Sequence, residues 1–401
     1  MGRKTRAAPR TPPYARRVLN VSTLIGANTS RSDSLRYGMR RHGEHQPVSA
    51  GARRPVVVWN CTKACNLSCA HCYASAKANP ADGELTGDEA RTFLDDLAAF
   101  GVPAVLLSGG EPMVRPDLVD LLEYGRERGL RFTLSTNGML IDDARAQRLA
   151  AAGLVYAGVS IDGDRVNHDR QRRELGAYDA AIQGLRRLGE HGVRRGVRFT
   201  LTPETLEGID AVFDLVLHEN VERLCVYHLV PQGRGARLVD VSPDERRAVV
   251  ERVFAFADEH PDVEVLTVDN PSDGALLYHW LLGRDEERAA SARDAMEWNT
   301  GARGGSGVGI GCVTECGDVH PDQFSRFRVL GNLRERPFSN IWADPDDEFV
   351  IAARSGERPV PVACQGCPDY AICGGGFRAR AEAVTGDPWG ADPSCQLAAG
   401  V

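Results

Sequence analysis

The sequence lacks several features whose absence narrows the class of protein. No uncharged apolar run approaches the roughly 20 residues that a bilayer-spanning helix requires. The first 60 residues lack the charged-then-apolar layout of a secretory signal, so we expect a soluble, cytoplasmic protein. No glycine fingerprint of a dinucleotide-binding fold is present, and nothing repeats beyond an alternation of strand and helix patterns.

Lysine is almost absent, because it occurs only at Lys4, Lys63 and Lys77 although Lys and Arg together number 48. We attribute this to a coding bias of the genome rather than to a binding role. The basic residues have no interleaved aromatics and belong to no recognised nucleic-acid-binding module. A nucleic-acid partner is therefore not expected.

Positive charge is concentrated near the N-terminus. Residues 1–54 carry twelve Arg or Lys but only Asp33 and Glu44 as acids, although the net charge of the whole chain is -7. This basic N-terminal arm is either a solvated tail or a lid that meets an anionic ligand. We favour a tail for residues 1–16, whereas "VLNVSTLIGANTSRSDSLRYG" has enough apolar periodicity to pack.

The eleven cysteines form groups. They cluster at 61–72, 312–316 and 364–395, a pattern that favours metal ligation over a disulfide scaffold in a reducing cytosol. Cys225 alone stands apart, inside the apolar stretch "RLCVYHLV", and we interpret it as a small buried hydrophobe.

Short apolar runs alternate with amphipathic helical patterns, which predicts parallel βαβ units. The strand candidates are 55–60, 104–110, 131–138, 156–163, 197–202 and 223–230. We therefore predict an α/β fold with a partial (β/α)6 TIM-like barrel over residues 55–235. The arm at 1–54 precedes it, a helical linker at 236–300 follows it, and a small cysteine-bearing domain occupies 301–401.

The unusual residues fall where the predicted strands end. The first cysteine group follows the first strand, "GGEP" the second, "STNG" the third, "SIDG" the fourth, and "YHLVPQGRG" the sixth. In barrels of this kind the reactive residues lie at the carboxyl ends of the strands. The coincidence predicts one site at that end.

The first cysteine group offers three or four ligands. Cys65, Cys69 and Cys72 follow a three-then-two spacing in a loop directly after a strand, and Cys61 ends that strand. A closed cage of four thiolates would need a three-three-two spacing, which matches neither common ferredoxin pattern. We interpret the group as three ligands that leave one iron open, with the closed cage as the alternative.

"CNLSCAHCY" resembles the cluster loop of radical S-adenosylmethionine (SAM) enzymes, and "GGEP" resembles their second hallmark. The resemblance implies a [4Fe-4S] cluster held by Cys65, Cys69 and Cys72, whose open iron chelates the amino and carboxylate groups of SAM. An electron, from a donor such as a ferredoxin or flavodoxin, then splits the sulfonium. The resulting 5′-deoxyadenosyl radical abstracts hydrogen from the substrate.

The same resemblance implies a set of cofactor contacts. The "GGEP" residues would lie against the methionine ammonium, two residues of "SIDG" against the ribose, and others near the sulfonium and the adenine. The residues beside the methionine part are Gly109, Gly110, Glu111 and Pro112. Ser160 and Asp162 would contact the ribose, Asn137 would lie near the sulfonium, and Tyr73 would lie near the adenine. Each could instead be a turn residue or, for the tyrosine, a core aromatic.

The last cysteine group comprises Cys364, Cys367, Cys373 and Cys395, and its spacing alone suits a zinc ribbon equally well. The passage resembles the C-terminal SPASM/twitch-type domain of radical SAM enzymes, which implies a second, auxiliary [4Fe-4S] cluster. Where that module carries cysteines for a further cluster, this chain has Phe377 and Asp322. We therefore predict one auxiliary cluster.

Cys312 and Cys316 are left without an assigned role. Packing in the core, exchange as a cluster ligand and contact with the substrate all remain open for these two cysteines.

Several stretches resemble the tetrapyrrole-modifying branch of these enzymes, among them "YHLVPQGRG" and "CGGGFRARAEAVTGDPWGADPSC". This implies an anionic iron tetrapyrrole as substrate, with removal of acetate side chains from 12,18-didecarboxysirohaem to give iron-coproporphyrin III. Formation of a haem d-type precursor and decarboxylation of iron-coproporphyrin propionates are alternatives. Arg234, with Arg36 or Arg40, could pair with carboxylates, and His228 could bind the substrate iron.

Two other classes of function remain open. A maturase of ribosomal peptides would need a peptide-docking segment, and the arm does not resemble a winged helix. A non-enzymatic iron–sulfur carrier would need no pocket for SAM, so "GGEP" argues against it.

Overall fold

The computed structural model describes residues 18–26, 54–300, 305–355 and 358–397. The strands form one 11-stranded sheet in the order β1-β8-β7-β6-β5-β4-β3-β2-β9-β10-β11. Their bounds are β1 Val18–Asn20, β2 Val56–Asn60, β3 Val105–Ser108, β4 Phe132–Thr136, β5 Tyr156–Ser160, β6 Arg195–Leu201, β7 Arg223–His228, β8 Glu264–Val268, β9 Ile310–Val313, β10 Asp318–His320 and β11 Gly331–Asn332.

Helices connect these strands. The α-helices are α1 Val21–Leu24, α2 Gly87–Phe100, α3 Leu118–Glu127, α4 Asp143–Ala151, α5 Arg165–Arg172, α6 Ala177–Glu190, α7 Ile209–His218, α8 Pro243–Glu259, α9 Ser272–Leu282, α10 Glu286–Thr300, α11 Phe338–Ala343, α12 Glu348–Ser355, α13 Tyr370–Cys373 and α14 Arg378–Thr385. Within the described residues, no helix is long and apolar enough to cross a membrane.

The predicted α/β barrel architecture is confirmed. All six predicted strands form, as β2 to β7, and each pairs in parallel with the next. Local signals explain the helix bounds: Thr86 accepts from the backbone N–H of Glu89 in a capping box, and Gly101 ends α2 in a left-handed conformation. The apolar faces of α2 and its neighbours pack with the strands in the main core.

The segment predicted as a helical linker contains a strand, so that prediction is wrong at residues 264–268. β8 pairs in parallel with β7, and all five of its residues are buried. The run "EVLTV" is short and β-branched, and only its pairing partner distinguishes it from a buried helical turn.

Part of the basic arm packs into the fold. β1 pairs antiparallel with β8, and Val21 and Ile25 of the following turn are buried in the main core. The Ser22 hydroxyl donates to Val263 O and accepts from Val265 N. Residues 18–26 are therefore an edge of the sheet rather than a tail or lid. Residues 1–17 and 27–53, including Arg36 and Arg40, lie outside the described residues.

The C-terminal region extends the same sheet. β9 pairs in parallel with β2, and β10 and β11 follow as antiparallel neighbours. Buried Arg380 forms an ion pair with Asp392 and donates to Leu229 O and Asp269 O, which follow β7 and β8. These contacts hold the cysteine-bearing region against the carboxyl ends of the barrel strands.

Candidate active site

A cavity opens at the carboxyl ends of the barrel strands. Its lining comes from β2 to β7, from the segments that follow β2 to β5 and β7, from Asp269 after β8, and from Gln323 and Phe324 of the C-terminal region. Of the residues predicted at the site, it brings together Cys65, Cys69, Cys72, Tyr73, Gly109, Gly110, Glu111, Asn137, Ser160, His228 and Arg234. Pro112 and Asp162 are not part of this lining.

Arg234 fixes the cysteine loop. Its Nε donates to Cys69 O and its Nη1 to Ala76 O, each at 2.7 Å, while its backbone N–H donates to Cys72 O. Arg234 therefore positions the loop with two of its three guanidinium nitrogens, a role that the sequence did not indicate. Its Nη2 has no hydrogen-bond partner among the described residues, and the predicted pairing with a substrate carboxylate stays a prediction for that nitrogen.

Cys61 lies apart from the other three thiols. It is fully buried in the main core, its Sγ contacts Ser108 O at 3.4 Å, and it is not part of the cavity lining. Burial raises the pKa of Cys61 to about 12, which favours the neutral thiol. This location fits a neighbouring core side chain better than a fourth ligand.

The remaining thiols fit a thiophilic metal cluster by donor type and position. Burial raises the pKa of Cys65 to about 12 and also raises that of Cys69. A bound metal would displace such protons, because the thiolate is the form that ligates metal. Among the described residues no group of three or more His, Cys, Asp or Glu side chains is already arranged around a metal-sized space. The fit therefore depends on the thiol set and on the cavity that it lines.

The "GGEP" loop is locked to the cysteine loop through backbone contacts. Gly110 N donates to Thr62 O, and Glu111 N donates to Ala64 O, both at 2.8 Å. A Cβ atom on Gly110 would lie 2.0 Å from Ala64 O, far inside van der Waals contact. Glycine at this position is thus required by the approach of the cysteine loop, independently of any bound cofactor.

Gly110→Ala should displace the cysteine loop, since the carbonyl it would meet belongs to rigid backbone. We expect reconstituted iron to fall by about half or more, because thiolate ligands hold a cluster only when they are correctly placed. Iron analysis of the anaerobically reconstituted chain measures this. Gly283→Ala is the matched control, because a Cβ there meets nothing within 4 Å and its φ of -75° suits alanine. Equal iron in both variants would contradict the expectation.

Glu111 joins this loop to the end of β4. Its carboxylate accepts from Thr136 Oγ1 and Asn137 N at 2.7 Å and from Met113 N at 3.1 Å. Burial raises the pKa of Glu111, although these donors oppose the shift. Pro112 begins a short 3-10 helix behind the loop and is buried away from the cavity lining.

Asn137 and Ser160 line the cavity from neighbouring strands. The Asn137 side chain donates to Asn66 Oδ1 at 2.8 Å, so it also supports the cysteine loop. Asp162 differs from the expectation: it is fully buried and forms an ion pair with Arg172 at 2.7 Å. Burial alone would raise the pKa of Asp162, but the adjacent guanidinium holds it below its usual value. The predicted ribose contact of Asp162 is therefore wrong in this structure, because its carboxylate is committed to Arg172.

Tyr73 joins the cysteine loop to the C-terminal region. Its hydroxyl donates to Asn60 Oδ1 at 3.0 Å, and its ring packs edge-on against Phe324, with centroids 5.1 Å apart. Phe324 in turn packs against Phe377. Tyr73 and Phe324 therefore line one side of the cavity with aromatic surface, and Phe377 packs behind Phe324; we call these three residues the aromatic wall.

His228 is oriented by a buried carboxylate. Its Nε2 lies 2.7 Å from Asp273 Oδ2, and Asp273 Oδ1 accepts from Asn270 and Gln396. His228 Nδ1 is buried without a hydrogen-bond partner. If Nε2 carries the proton that Asp273 accepts, Nδ1 presents a lone pair, which is the arrangement that metal-binding histidines use.

The last cysteine group lies in one region around α13. Burial raises the pKa of Cys364, and the nearby thiols of Cys395 and Cys367 raise it further. Cys373 ends α13 and is buried. Four thiols from neighbouring turns fit either an iron–sulfur cluster or zinc by donor type.

The two positions that lack the module's cysteines have structural roles. Phe377 is buried in the aromatic wall, while Asp322 is fully buried and accepts from the backbone N–H groups of Phe324 and Ser325. Neither side chain is a thiolate, and both are occupied by these contacts.

The three other cysteines differ in environment. Cys225 packs with Leu266 and Val268, which confirms the interpretation as a buried hydrophobe. Cys312 is buried on β9 near Asn60, whereas Cys316 is partly exposed and contacts Asp82 O.

Two cavity residues were missed from the sequence. Arg172 ends α5, where it pairs with Asp162 and donates to Cys69 Sγ at 3.7 Å. Arg198 lies in the middle of β6 and lines the cavity. The signal for Arg198 was present, because an arginine interrupts the apolar strand "VRFTLT".

Comparison with known proteins gives consistent matches. The Radical SAM superfamily model matches residues 59–216. Fe-coproporphyrin III synthase of Methanosarcina barkeri is 44% identical over 95% of this chain and 98% of that protein. Pre-heme d1 synthase of Dinoroseobacter shibae is 36% identical over 88% of each. The structure of Streptococcus suis SuiB bound to S-adenosylmethionine has a TM-score of 0.66 at 20% identity, with 86% of this chain and 78% of that chain covered, which supports the fold alone.

Proposed function

The chain belongs to the radical SAM superfamily, in its tetrapyrrole-modifying branch, and we propose that it removes acetate side chains from 12,18-didecarboxysirohaem to give iron-coproporphyrin III. One observation carries this proposal: the cavity that contains the cysteine loop also contains His228, a histidine with a free ring nitrogen. The 44% identity to Fe-coproporphyrin III synthase supports the same reaction.

Cys65, Cys69 and Cys72 would hold the [4Fe-4S] cluster in this proposal. Together, cluster and SAM supply the carbon radical that abstracts hydrogen from the acetate. Gly109, Gly110 and Glu111 would form the wall next to the methionine part, with Asn137 near the sulfonium and Ser160 near the ribose. The support is that all of these residues line one cavity.

The chain's own contribution is placement and exclusion of water. The aromatic wall of Tyr73, Phe324 and Phe377 offers an apolar surface beside the cysteine loop, where Tyr73 could also contact adenine. An apolar surface excludes water and other groups that could donate hydrogen to the radical in place of the substrate. A fixed substrate position keeps the two reacting carbon atoms close to each other. The difficult bond chemistry belongs to the cofactor.

Cys364, Cys367, Cys373 and Cys395 would hold the auxiliary [4Fe-4S] cluster. Four protein thiolates leave such a cluster no open iron, so it would relay electrons or stabilise the domain rather than bind substrate. A small reductant such as a ferredoxin or flavodoxin would supply the electrons.

His228 would bind the iron of the tetrapyrrole through Nδ1. Imidazole is a suitable iron ligand, and the Asp273 contact orients the ring as a second-shell carboxylate does at metal sites. An unfilled Nδ1 lone pair in a buried position costs about 1–3 kcal/mol, which a bound iron would offset.

His228→Ala should change the absorption spectrum of bound tetrapyrrole and lower its turnover by about 10-fold or more, because an axial ligand would be lost. SAM cleavage without substrate should stay at the wild-type rate. Titration of the iron tetrapyrrole, followed by its visible absorption, measures the first effect. His191→Ala is the matched control, since His191 lies near the surface and, among the described residues, its side chain pairs only with Asp143. An unchanged spectrum in His228→Ala would refute iron ligation.

The function itself is tested by incubating the reduced chain with SAM and 12,18-didecarboxysirohaem. Loss of acetate mass from the tetrapyrrole, with formation of 5′-deoxyadenosine, is the expected result. Formation of a haem d-type precursor is the second candidate, favoured by the 36% identity to pre-heme d1 synthase, and its product differs in mass. An unaltered tetrapyrrole under conditions that cleave SAM would reject the proposal.

A further inference from the structure

Three arginines line the cavity, and two of them already bind protein groups, although Arg234 Nη2 has no partner among the described residues. Arg172 forms an ion pair with Asp162, and Arg234 binds carbonyl oxygens of the cysteine loop. Arg198 has neither an ion pair nor a hydrogen bond from its side chain among the described residues. Its guanidinium instead stacks on the Tyr227 ring, 4.4 Å from the centroid.

The fold makes space for this side chain. Gly158 is paired with Gly196 in the β5–β6 register, and the Arg198 side chain passes over it, because a Cβ atom at position 158 would lie 2.6 Å from Arg198 Cδ. Any residue with a side chain at position 158 would therefore displace the aliphatic part of the Arg198 side chain. Glycine weakens a strand, so its presence in a buried strand is explained here by the side chain that crosses it.

Within the described part of the chain, no carboxylate forms an ion pair with Arg198. The ionisable groups that act on it most strongly are Tyr227, Cys225 and Tyr156, none of which is a carboxylate. Arg223 on β7 and Arg194 just before β6 both pair with Glu264. A cation held out of bulk water without an anion is unfavourable, so this arrangement suits a site where a ligand provides the negative charge.

Arg198 and His228 approach the cavity from adjacent strands. In the β6–β7 register Arg198 lies beside Cys225, three residues before His228 on β7. Side chains alternate between the two faces of a strand, so Arg198 shares a face with Cys225 and Tyr227, whereas His228 is at the end of β7 on the alternate face. Both residues nevertheless line the same cavity, so a ligand that fills it would meet both.

We propose that Arg198 binds a carboxylate of the tetrapyrrole substrate through its guanidinium fork, and thereby sets the orientation of the macrocycle. The inference rests on the proposed function. Arginine is suited to this role because its planar donors can engage both oxygens of a carboxylate while its face stacks on an aromatic ring. The carboxylate of SAM could be bound by the same guanidinium. SAM cleavage without tetrapyrrole distinguishes a SAM carboxylate from a tetrapyrrole carboxylate.

The test uses the full chain with its clusters reconstituted, as wild type, R198Q and R198K. R131Q is the matched control, because Arg131 is exposed and makes no ion pair with any described residue. Each protein is titrated with 12,18-didecarboxysirohaem and with its fully methyl-esterified form. We expect R198Q to weaken binding of the acid form by about 10- to 100-fold and to leave that of the ester unchanged. R198K should lose less, since it keeps the charge without the fork.

Different outcomes overturn different claims. Equal affinity of wild type and R198Q for the acid form would overturn the assignment of Arg198, as would loss of SAM cleavage in R198Q without tetrapyrrole. A wild-type chain that binds neither form would overturn the proposed function as well. If R198Q fails to fold, two other affinities test the assignment: wild type should bind the acid form more tightly than the ester, and R198K should bind the acid form more weakly than wild type. If neither difference is found, the assignment of Arg198 is wrong.

Discussion

Replacing Cys69 with alanine should abolish reductive cleavage of SAM, whereas Cys61→Ala should leave it close to the wild-type rate. The physical reason is location: Cys69 lines the cavity beside the "GGEP" loop, and Cys61 is buried in the main core. Loss of one of three thiolates exposes a second iron and destabilises the cluster. Loss of Cys61 removes a small core side chain, which costs about 1 kcal/mol of unfolding free energy.

The measurement is 5′-deoxyadenosine formed per chain after reduction, together with iron content. Both variants remove the same sulfur atom, from cysteines that lie four residues before and four residues after Cys65. The two positions differ in their environment, so each variant controls for the general loss of a thiol in the other. If Cys61→Ala lost the cluster, a closed cage of four thiolates would replace the open iron.

Removing two ligands of the last group, as Cys364→Ala with Cys367→Ala, should halve the iron content. We expect it to fall from about eight to about four irons per chain, because each cubane contains four. SAM cleavage should persist, since the cysteine loop is untouched, while turnover of the tetrapyrrole should be lost with the electron relay.

Cys316→Ala is the matched control for this pair, because Cys316 is partly exposed and its thiol donates to Asp82 O. We expect it to retain about eight irons. About twelve irons in the wild type would contradict a single auxiliary cluster, and zinc together with four irons would support the ribbon instead.

The barrel could be predicted because its signals are local. Each of the six strands is a short apolar run, and Thr86 and Gly101 mark the two ends of the helix that follows the cysteine loop. The gathering of functional residues at one end of the sheet then followed from parallel topology. The cavity contains most of the residues that this reasoning selected.

The parts of the fold and of the site that could not be predicted depend on contacts between residues that are distant in the sequence. β8 and β1 pair with each other across more than two hundred residues, and neither run is distinctive alone. Arg234 and Asp162 were assigned to ligands because their loops were recognisable, yet each finds a protein partner in the fold. Spacing places a side chain at a site but does not reveal whether its charge is already balanced.

Arg198 is the reverse case, because no role was predicted for it from the sequence although it lines the cavity. An arginine inside an apolar strand was passed over as part of a β pattern, although burying its charge requires a reason. Only the fold shows that the ionisable groups that act on it most strongly are phenols and a thiol rather than carboxylates, and that Gly158 leaves room for its side chain.

The most direct measurement is electron paramagnetic resonance of the reduced Cys364→Ala, Cys367→Ala chain, which would retain the cluster of the cysteine loop alone. With SAM labelled at its amino nitrogen and carboxylate oxygen, we expect a changed cluster signal and magnetic coupling to the labelled atoms. An unchanged signal without such coupling would mean that no iron is open to SAM, and the proposed chemistry at this cavity would be wrong.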